Sequence, residues 1–87
     1  MTKDYRILAE DNGDDGMLYE IYEVYYDEDG NAAMHDDYPT CVFGDDIDEI
    51  LFCINGMKEA INRPVLWLGD KFPEEFDYDE WNRNKTL

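Results

Sequence analysis

Carboxylates are the groups with the most chemical potential in this chain of 87 residues, which has 23 Asp and Glu against 7 Lys and Arg and a formal net charge of −16. Two neighbouring carboxylates can share acid–base catalysis when one of them is desolvated. At this density of acids, pairs such as Asp36–Asp37 arise by chance, and no nucleophile motif, phosphate-binding glycine loop or zinc signature accompanies them. Because so short a chain encloses only a small pocket, we expect no enzymatic activity and no catalytic residue.

The acidic turns suggest a calcium site, but their spacing argues against one. An EF-hand loop carries Gly at its sixth position and Glu at its twelfth. For loops that start at Asp11 or Asp27, the twelfth residue would be Tyr22 or Tyr38. We therefore expect neither a bound metal ion nor a cofactor.

The two cysteines and the single histidine do not have the surroundings of a nucleophile and its base. Cys53 falls within an apolar helical pattern, where a thiol acts as a small hydrophobic residue. Reactive cysteines need electropositive surroundings, and His35 stands beside two Asp residues. Two cysteines are also too few for a disulfide framework, so we expect both, Cys41 included, to be reduced core thiols. No apolar run reaches the roughly 18–20 residues of a membrane span, which predicts a cytoplasmic protein without a membrane partner.

The negative charge is concentrated in one segment of the chain. Residues 7–57 contain 15 Asp and Glu and no Lys or Arg, whereas residues 58–87 contain 7 acidic and 5 basic residues. A net charge of −16 excludes direct binding to nucleic acid or anionic lipid as the main activity, because contact with phosphate needs Lys and Arg. A partner protein with a basic surface is the natural complement. The predicted partner-binding residues are thirteen acids of this segment: Asp14, Asp15, Glu20, Glu23, Asp27, Glu28, Asp29, Asp36, Asp37, Asp45, Asp46, Asp48 and Glu49.

The spacing of these acids is compatible with imitation of DNA. Residues i and i+2 on a strand lie roughly 6.6–6.8 Å apart on one face, a distance close to the separation of successive phosphates along one DNA strand. On this interpretation, Asp27 and Asp29 reproduce the spacing of the phosphate charges that a DNA-binding groove contacts. Acids at the start of the predicted helix add a second cluster, and interleaved Tyr side chains supply apolar anchors. The alternative is a merely solvated acidic surface, such as a halophilic coat, which should also cover residues 58–87.

The elements that must position these acids form an α+β fold. Period-2 alternation and runs rich in Tyr, Ile and Val predict three strands at Tyr5–Ala9, Met17–Tyr26 and Ala32–Tyr38. A continuation of the third strand over Thr40–Phe43, past Pro39, stays open. Asp29–Gly30 is a hairpin signal between the second strand and the third. We expect a three-stranded antiparallel sheet whose second strand is central.

One amphipathic helix is predicted over residues 47–61 and is expected to pack on this sheet, which gives the order β-β-β-α. Asp46 with Glu49 has the spacing of a capping box, and Pro64 ends the helix. We expect a single domain, in which residues 1–69 form the β-β-β-α unit and residues 70–87 an acidic, aromatic C-terminal extension. The residues that recur at helical spacing and define the apolar face of the helix are Ile47, Ile50, Leu51, Ile54, Met57 and Ile61.

Two features of the chain resemble known groups of proteins. The stretch Tyr19–Gly30 is centred on Glu-Val-Tyr-Tyr-Asp-Glu-Asp-Gly, and the predicted helix ends in the sequence Ala60–Leu66. With these two features, residues 5–66 resemble small bacterial and phage proteins of unknown function. That resemblance implies a fold and no activity. In size and charge the chain also resembles phage-encoded anti-CRISPR and anti-restriction proteins that imitate DNA, which implies inhibition of a host nuclease.

Charge, size and resemblance together predict a non-enzymatic acidic inhibitor. It would mimic DNA and occupy the basic DNA-binding site of a host defence nuclease, such as a CRISPR effector complex in the host cytoplasm. A charge of −16 would make the association fast and strongly dependent on salt. The alternative is a small bacterial adaptor or antitoxin-like protein that binds a basic partner protein without imitating DNA.

Overall fold

A computed structural model describes residues 2–85 of the chain. Four strands and two α-helices follow one another, and short 3-10 turns lie at Gly13–Asp15 and Ala60–Asn62. In chain order the elements are β1 (Thr2–Asp11), β2 (Met17–Tyr26), β3 (Ala32–His35), α1 (Ile47–Glu59), β4 (Leu66–Trp67) and α2 (Tyr78–Lys85). The expected α+β class is confirmed.

β1 and β2 form a long antiparallel hairpin, with Thr2 opposite Tyr26 at one end and Asp11 opposite Met17 at the other. Tyr, Ile and Val fill β2 because β-branched and aromatic side chains suit a pleated surface. The connection turns sharply through Gly13 and Gly16, whose φ angles of 65° and 84° lie in the left-handed region that favours glycine. This hairpin is the framework of the molecule.

The sheet is mixed and four-stranded, in the order β3-β2-β1-β4, which corrects the expected three-stranded antiparallel sheet. β2 is central and pairs antiparallel with both β1 and β3, as predicted, but β4 adds a parallel strand on the free edge of β1. Beyond β3 the backbone still follows β2, since Thr40 N donates to Ile21 O at 2.8 Å. β4 escaped prediction because it has only two residues.

Period-2 alternation gives the β1–β2 hairpin two different faces. The even-numbered residues form the core face, where Leu8, Tyr22, Val24, Tyr26 and Leu66 make one buried cluster. Ala32, Leu68 and Phe72 pack against that cluster. The odd-numbered residues, which include Tyr5, form the opposite face, called the helix face here because α1 contacts it.

Arg6 is a buried charge on the core face. Its Nη1 donates to the Tyr26 hydroxyl at 3.0 Å and its Nη2 to the Pro64 carbonyl at 2.7 Å. The Tyr26 hydroxyl in turn donates to Asp4 Oδ1 at 2.6 Å, and Asp4 is ion-paired with Arg63. These bonds tie the segment after α1 to the β1–β2 hairpin.

α1 begins at the predicted cap. Glu49 N donates to Asp46 Oδ1 at 2.8 Å, and Asp45 N donates to Glu49 Oε2 at 2.5 Å, so the capping-box prediction is confirmed with the second bond displaced by one residue. The helix contacts the sheet through Gly56, where a Cβ atom would lie 2.9 Å from the Tyr5 ring. Cys53 and Met57 are buried beside this contact.

Most of the predicted apolar face of α1 points away from the sheet. Met57 is buried and Ile50 is half-buried, whereas the other four residues of that face are exposed. The expectation that this apolar face packs on the sheet is therefore met by Met57 and in part by Ile50, but not by the other four residues. The apolar arc of the helix is wider than the face that one narrow sheet covers. The exposed residues are Ile47, Leu51, Ile54 and Ile61.

Residues 70–85 lie against the rest of the fold rather than apart from it. Phe76 N donates to Val65 O at 2.7 Å, which adds a short antiparallel pairing beside β4. The Phe76 ring meets those of Tyr19 and Trp67 edge-on, at centroid distances of 5.9 and 4.8 Å. Trp81 Nε1 in α2 donates to Asp11 Oδ2 at 3.1 Å. Within residues 2–85, neither helix has the length and apolar character needed to cross a membrane.

Candidate partner-binding surface

The thirteen predicted acids are not gathered into one site. Nine of them fall into three clusters in different parts of the fold, and the other four are distributed along β2 and after β3. About 30 Å separates the two ends of β2, at ~3.3 Å per residue, and these ends carry different clusters. The clusters are Asp14 and Asp15 after β1, Asp27, Glu28 and Asp29 after β2, and Asp45, Asp46, Asp48 and Glu49 at the start of α1.

The cluster after β2 is a turn rather than a strand. β2 ends at Tyr26, and Asp27 Oδ1 accepts hydrogen bonds from Asp29 N at 3.0 Å and Asn31 N at 2.9 Å. The strand spacing assumed for Asp27 and Asp29 is therefore wrong. Asp27 shapes the turn, while the side chains of Glu28 and Asp29 are exposed.

The cluster at the start of α1 combines structural and free carboxylates. Asp46 and Glu49 are held by the capping bonds, whereas Asp45 and Asp48 are exposed side chains without a described polar partner. Four acids within five residues repel one another, and the positive end of the helix dipole offsets part of that repulsion. The folded protein can thus tolerate this cluster without a bound partner, and the exposed carboxylates stay available to one.

The remaining four acids do not share a surface. Glu20 lies on the core face, whereas Glu23 lies on the helix face opposite Tyr5 and forms an ion pair with Lys3 at 3.5 Å. Asp37 is exposed after β3. Asp36 Oδ1 accepts from the Tyr25 hydroxyl at 2.8 Å, and this hydrogen bond raises the pKa of Tyr25 to about 12.

Four of the basic side chains bind groups of the fold outside the three acidic clusters. Arg6 is buried, Arg63 pairs with Asp4 and stacks on Tyr26 at 5.4 Å, and Lys3 pairs with Glu23. The Lys71 ammonium group lies 4.6 Å from the centroid of the Trp67 ring. None of these four cations therefore pairs with a carboxylate of the three clusters.

Exposed apolar side chains lie beside the α1 cluster, and the sequence analysis did not predict them as part of the candidate surface. A groove of about 450 Å³ lies there, and Phe43 and Phe52 on its walls are 74% and 81% exposed. Its rim carries Asp46, Asp48 and Glu49. The sequence did hold a signal, because Phe52 and Cys53 complete an unbroken apolar run from Ile50 to Ile54 that no single helix face can accommodate.

The tyrosines expected to serve as anchors are mostly engaged elsewhere. Tyr22 and Tyr26 are buried in the core, whereas Tyr19 and Tyr38 are exposed. The Tyr5 hydroxyl lies 3.5 Å from Cys53 Sγ, and this hydrogen bond, with burial, raises its pKa to about 12. Tyrosines with such pKa values stay protonated near neutrality and supply no phenolate nucleophile.

The thiols and the histidine do not form a nucleophile with its base, although Cys53 lines the groove beside the α1 cluster. Cys53 is buried, as expected, but Cys41 is exposed, so its assignment to the core was wrong. His35 Nδ1 lies 2.6 Å from Asp36 O, and the ring meets those of Tyr22 and Phe72 edge-on. In the part of the chain that the structure describes, no three His, Cys, Asp or Glu side chains are arranged to hold a metal ion.

No protein-family model, curated protein or solved structure matches the chain. The resemblances to small bacterial and phage proteins and to DNA mimics therefore stay predictions, and inferences about function rest on the surface described above.

Proposed function

We propose that this protein is a non-enzymatic inhibitor that presents its acidic surface to the basic DNA-binding site of a host defence nuclease, such as a CRISPR effector complex. The observation that carries the proposal is the density of charge along the molecule. A net charge of −16 on a body measuring 50 × 30 × 22 Å is about one charge per 3 Å of its length. One DNA strand carries a charge every ~3.4 Å and the duplex one every ~1.7 Å. The protein thus matches the charge density of a single DNA strand, although it does not reach that of the duplex.

The distribution of acids along the molecule supports the same proposal. The turns at the two ends of β2 carry acids roughly 30 Å apart, a distance that would span several phosphates of a bound strand. Lys3, Arg63 and Lys71 contact Glu23, Asp4 and Trp67 rather than these turns. A basic groove would therefore meet carboxylates that these three cations do not neutralise.

Displacement of DNA tests the proposal. Purified CRISPR effector complexes and restriction nucleases are loaded with fluorescent duplex DNA, and the protein is added at increasing concentration. We expect release of DNA from at least one of them, with an inhibition constant that weakens steeply as salt increases, because the contacts are electrostatic. Full DNA binding throughout, at saturating protein and low salt, would contradict the proposal.

Two charge variants decide which acids matter. The test variant is Asp27→Asn with Glu28→Lys and Asp29→Lys, since an Asn oxygen can keep the turn bonds made by Asp27. The matched variant makes the same change in charge outside residues 7–57, with Glu59→Gln, Asp70→Lys and Glu74→Lys. We expect the first to weaken displacement at least about tenfold more than the second, which corresponds to ~1.4 kcal/mol. Equal weakening would mean that total charge, and not placement, drives binding.

A second candidate is an adaptor or antitoxin-like protein that binds a basic partner without imitating DNA. The exposed Phe43 and Phe52 beside the α1 cluster favour it, because a groove built for phosphates needs no apolar anchor. Replacing both with Ser distinguishes the two functions. DNA displacement should survive the replacement if the acids imitate DNA, whereas binding to an apolar and basic partner surface should be lost.

A further inference from the structure

The outward side of α1 carries an apolar seam with the period of a coiled coil. Ile47, Leu51, Ile54 and Ile61 are 81%, 56%, 46% and 69% exposed. With Lys58 they stand at successive intervals of 4, 3, 4 and 3 residues. We call these five residues the outer stripe. Ile61 belongs to the 3-10 turn that follows α1 directly.

This spacing selects a helical occupant. Residues that alternate by three and four positions keep one side of a helix facing a partner helix, whose side chains insert between them. Solvated helices of a single protein normally present polar residues on that side. Four exposed aliphatic residues in this order are therefore a surface for a second helix.

The charges beside the outer stripe favour a partner helix that is basic. The outer stripe begins beside Asp45, Asp46 and Asp48, and its one cation, Lys58, lies near its C-terminal end. A helix with Lys or Arg flanking its apolar residues would meet the carboxylates at the start of α1 while its apolar side chains cover the stripe. A second copy would instead bring two chains of −16 to helix-packing distance, ~8–10 Å, which is about one Debye length at 0.1 M salt. Repulsion therefore disfavours self-pairing.

We propose that the outer stripe of α1 binds a basic amphipathic helix of the partner protein, oriented with its most basic end over the start of α1. The proposal rests on the proposed function only in taking the partner to be basic, and it adds a contact that DNA imitation does not require. It gives the partner two features: a basic surface and a helix with apolar residues at coiled-coil spacing.

Binding of a synthetic peptide tests the proposal. The probe has three heptads with Leu at positions a and d and Lys and Ala elsewhere, and its control is a scrambled peptide of identical composition. In calorimetry at about 0.15 M salt, we expect the heptad peptide to bind at least about tenfold more tightly than the scrambled one. Equal binding of the two peptides would overturn the proposal, because charge alone would then account for the affinity.

Matched variants locate the binding surface. Ile47→Gln with Leu51→Gln and Ile54→Gln removes three stripe residues and keeps a helix-forming side chain. The control replaces three exposed apolar residues elsewhere, namely Leu18→Gln, Met34→Gln and Tyr78→Gln. Circular dichroism and thermal unfolding establish that both variants fold. We expect the stripe variant to bind the heptad peptide at least about tenfold more weakly than the wild type and the control to stay within about twofold. Equal losses would overturn the proposal.

Sedimentation of the free protein separates the basic helix from a second copy. We expect a monomer at about 0.05 M and at about 0.5 M salt, where the Debye length falls from ~14 to ~4 Å. A dimer that the stripe variant abolishes would overturn the proposal in favour of self-pairing. The DNA-displacement assay is scored independently, so loss of peptide selectivity with intact displacement defeats this inference and leaves the proposed function standing.

Discussion

The two faces of the β1–β2 hairpin are built from similar residues and are covered very differently. On the core face, Leu8 and Val24 are completely buried, and Tyr22, His35 and Phe72 close over them ring against ring. On the helix face, the small Ala9 is buried, but the larger Ile7 and Ile21 are only half-buried. The core face therefore holds the fold together, whereas the helix face supports α1 with little contact and leaves its outer stripe in solvent.

This difference shows how so short and so acidic a chain can both fold and keep a binding surface. A chain of this size buries only roughly 60–65% of the surface that it exposes when unfolded. Here the largest fully buried side chains, Leu8 and Val24, lie on one face, and even the buried Arg6 contributes by binding Tyr26 and Pro64. The apolar residues left on α1 are then available for an intermolecular contact.

The largest expected difference in stability is between substitutions of two leucines, Leu8 on the core face and Leu51 in the outer stripe. Leu8→Ala opens a cavity in the core face and should lower the free energy of unfolding by about 2–5 kcal/mol. Leu51→Ala removes an exposed side chain of the outer stripe and should change it by no more than ~0.5 kcal/mol. Urea unfolding followed by circular dichroism measures both.

A comparable loss of stability in the two variants would contradict the difference in burial between the core face and the outer stripe. It would mean that α1 buries its outer stripe in the free protein. Ile54→Ala serves as an independent check, because Ile54 is also exposed on the same side of the helix.

The second expected effect concerns the contact between α1 and the helix face. Gly56→Ala places a methyl group 2.9 Å from Cε2 of Tyr5, so the ring or the helix must move. Overpacking costs about 1–3 kcal/mol, and the better helix propensity of Ala returns ~1 kcal/mol, which leaves a net loss of about 1 kcal/mol. Urea unfolding of the variant measures this loss.

A double-mutant cycle with Tyr5→Val identifies the cause of that loss. Once the ring is gone, Gly56→Ala should become neutral or stabilising, because only the propensity gain remains. Asn55→Ala, at the exposed neighbouring position, controls for propensity. A stabilising Gly56→Ala in the wild-type background would show that α1 adjusts freely and is held even more loosely than its contacts suggest.

The sequence was informative where local chemistry decides structure. Runs of Tyr, Ile and Val predicted β2, and the pair Asp46 and Glu49 predicted the start of α1, because strand propensity and capping act within a few residues. The two-residue β4 was missed, since its pairing with β1 depends on residues 58 positions away in the chain, as Leu8 and Leu66 are. No local pattern encodes such a pairing.

The candidate surface was harder to predict for two physical reasons. An i, i+2 spacing has a fixed meaning only within a strand, and β2 ends before Asp27, so that acid bends the chain instead of lining a face. Periodicity also identifies the apolar residues of a helix without saying how many of them the neighbouring sheet can cover. Ile47 and Met57 fit the same pattern, and only one of them is buried.

The smallest expected effect is a pH dependence at the contact between α1 and the helix face. The hydrogen bond between Tyr5 and Cys53, together with burial, raises the pKa of Tyr5 from 10.0 to about 12. Because the folded state favours the neutral phenol, the corresponding stabilisation is complete below pH ~10 and is lost as the pH rises through about 12. Tyr5→Phe cannot ionise, so its stability should fall less than that of the wild type over this interval. Urea unfolding across the interval, with an absorbance titration of tyrosinate, measures the difference.

Tyr25→Phe is the matched control, because Tyr25 has a pKa of about 12 for a different reason, its hydrogen bond to Asp36. It should also lose less stability at high pH, but it does not hold Cys53. In a Cys41→Ser background, the buried Cys53 is the remaining thiol and reports on whether α1 separates from the sheet. Its labelling by a thiol reagent should accelerate above pH ~10 in the background protein and with Tyr25→Phe, and less with Tyr5→Phe. Identical acceleration of labelling in the background protein and both variants would show that the loss of stability at high pH arises outside the helix face. Tyr5 would then not be among the residues that hold α1 on the sheet.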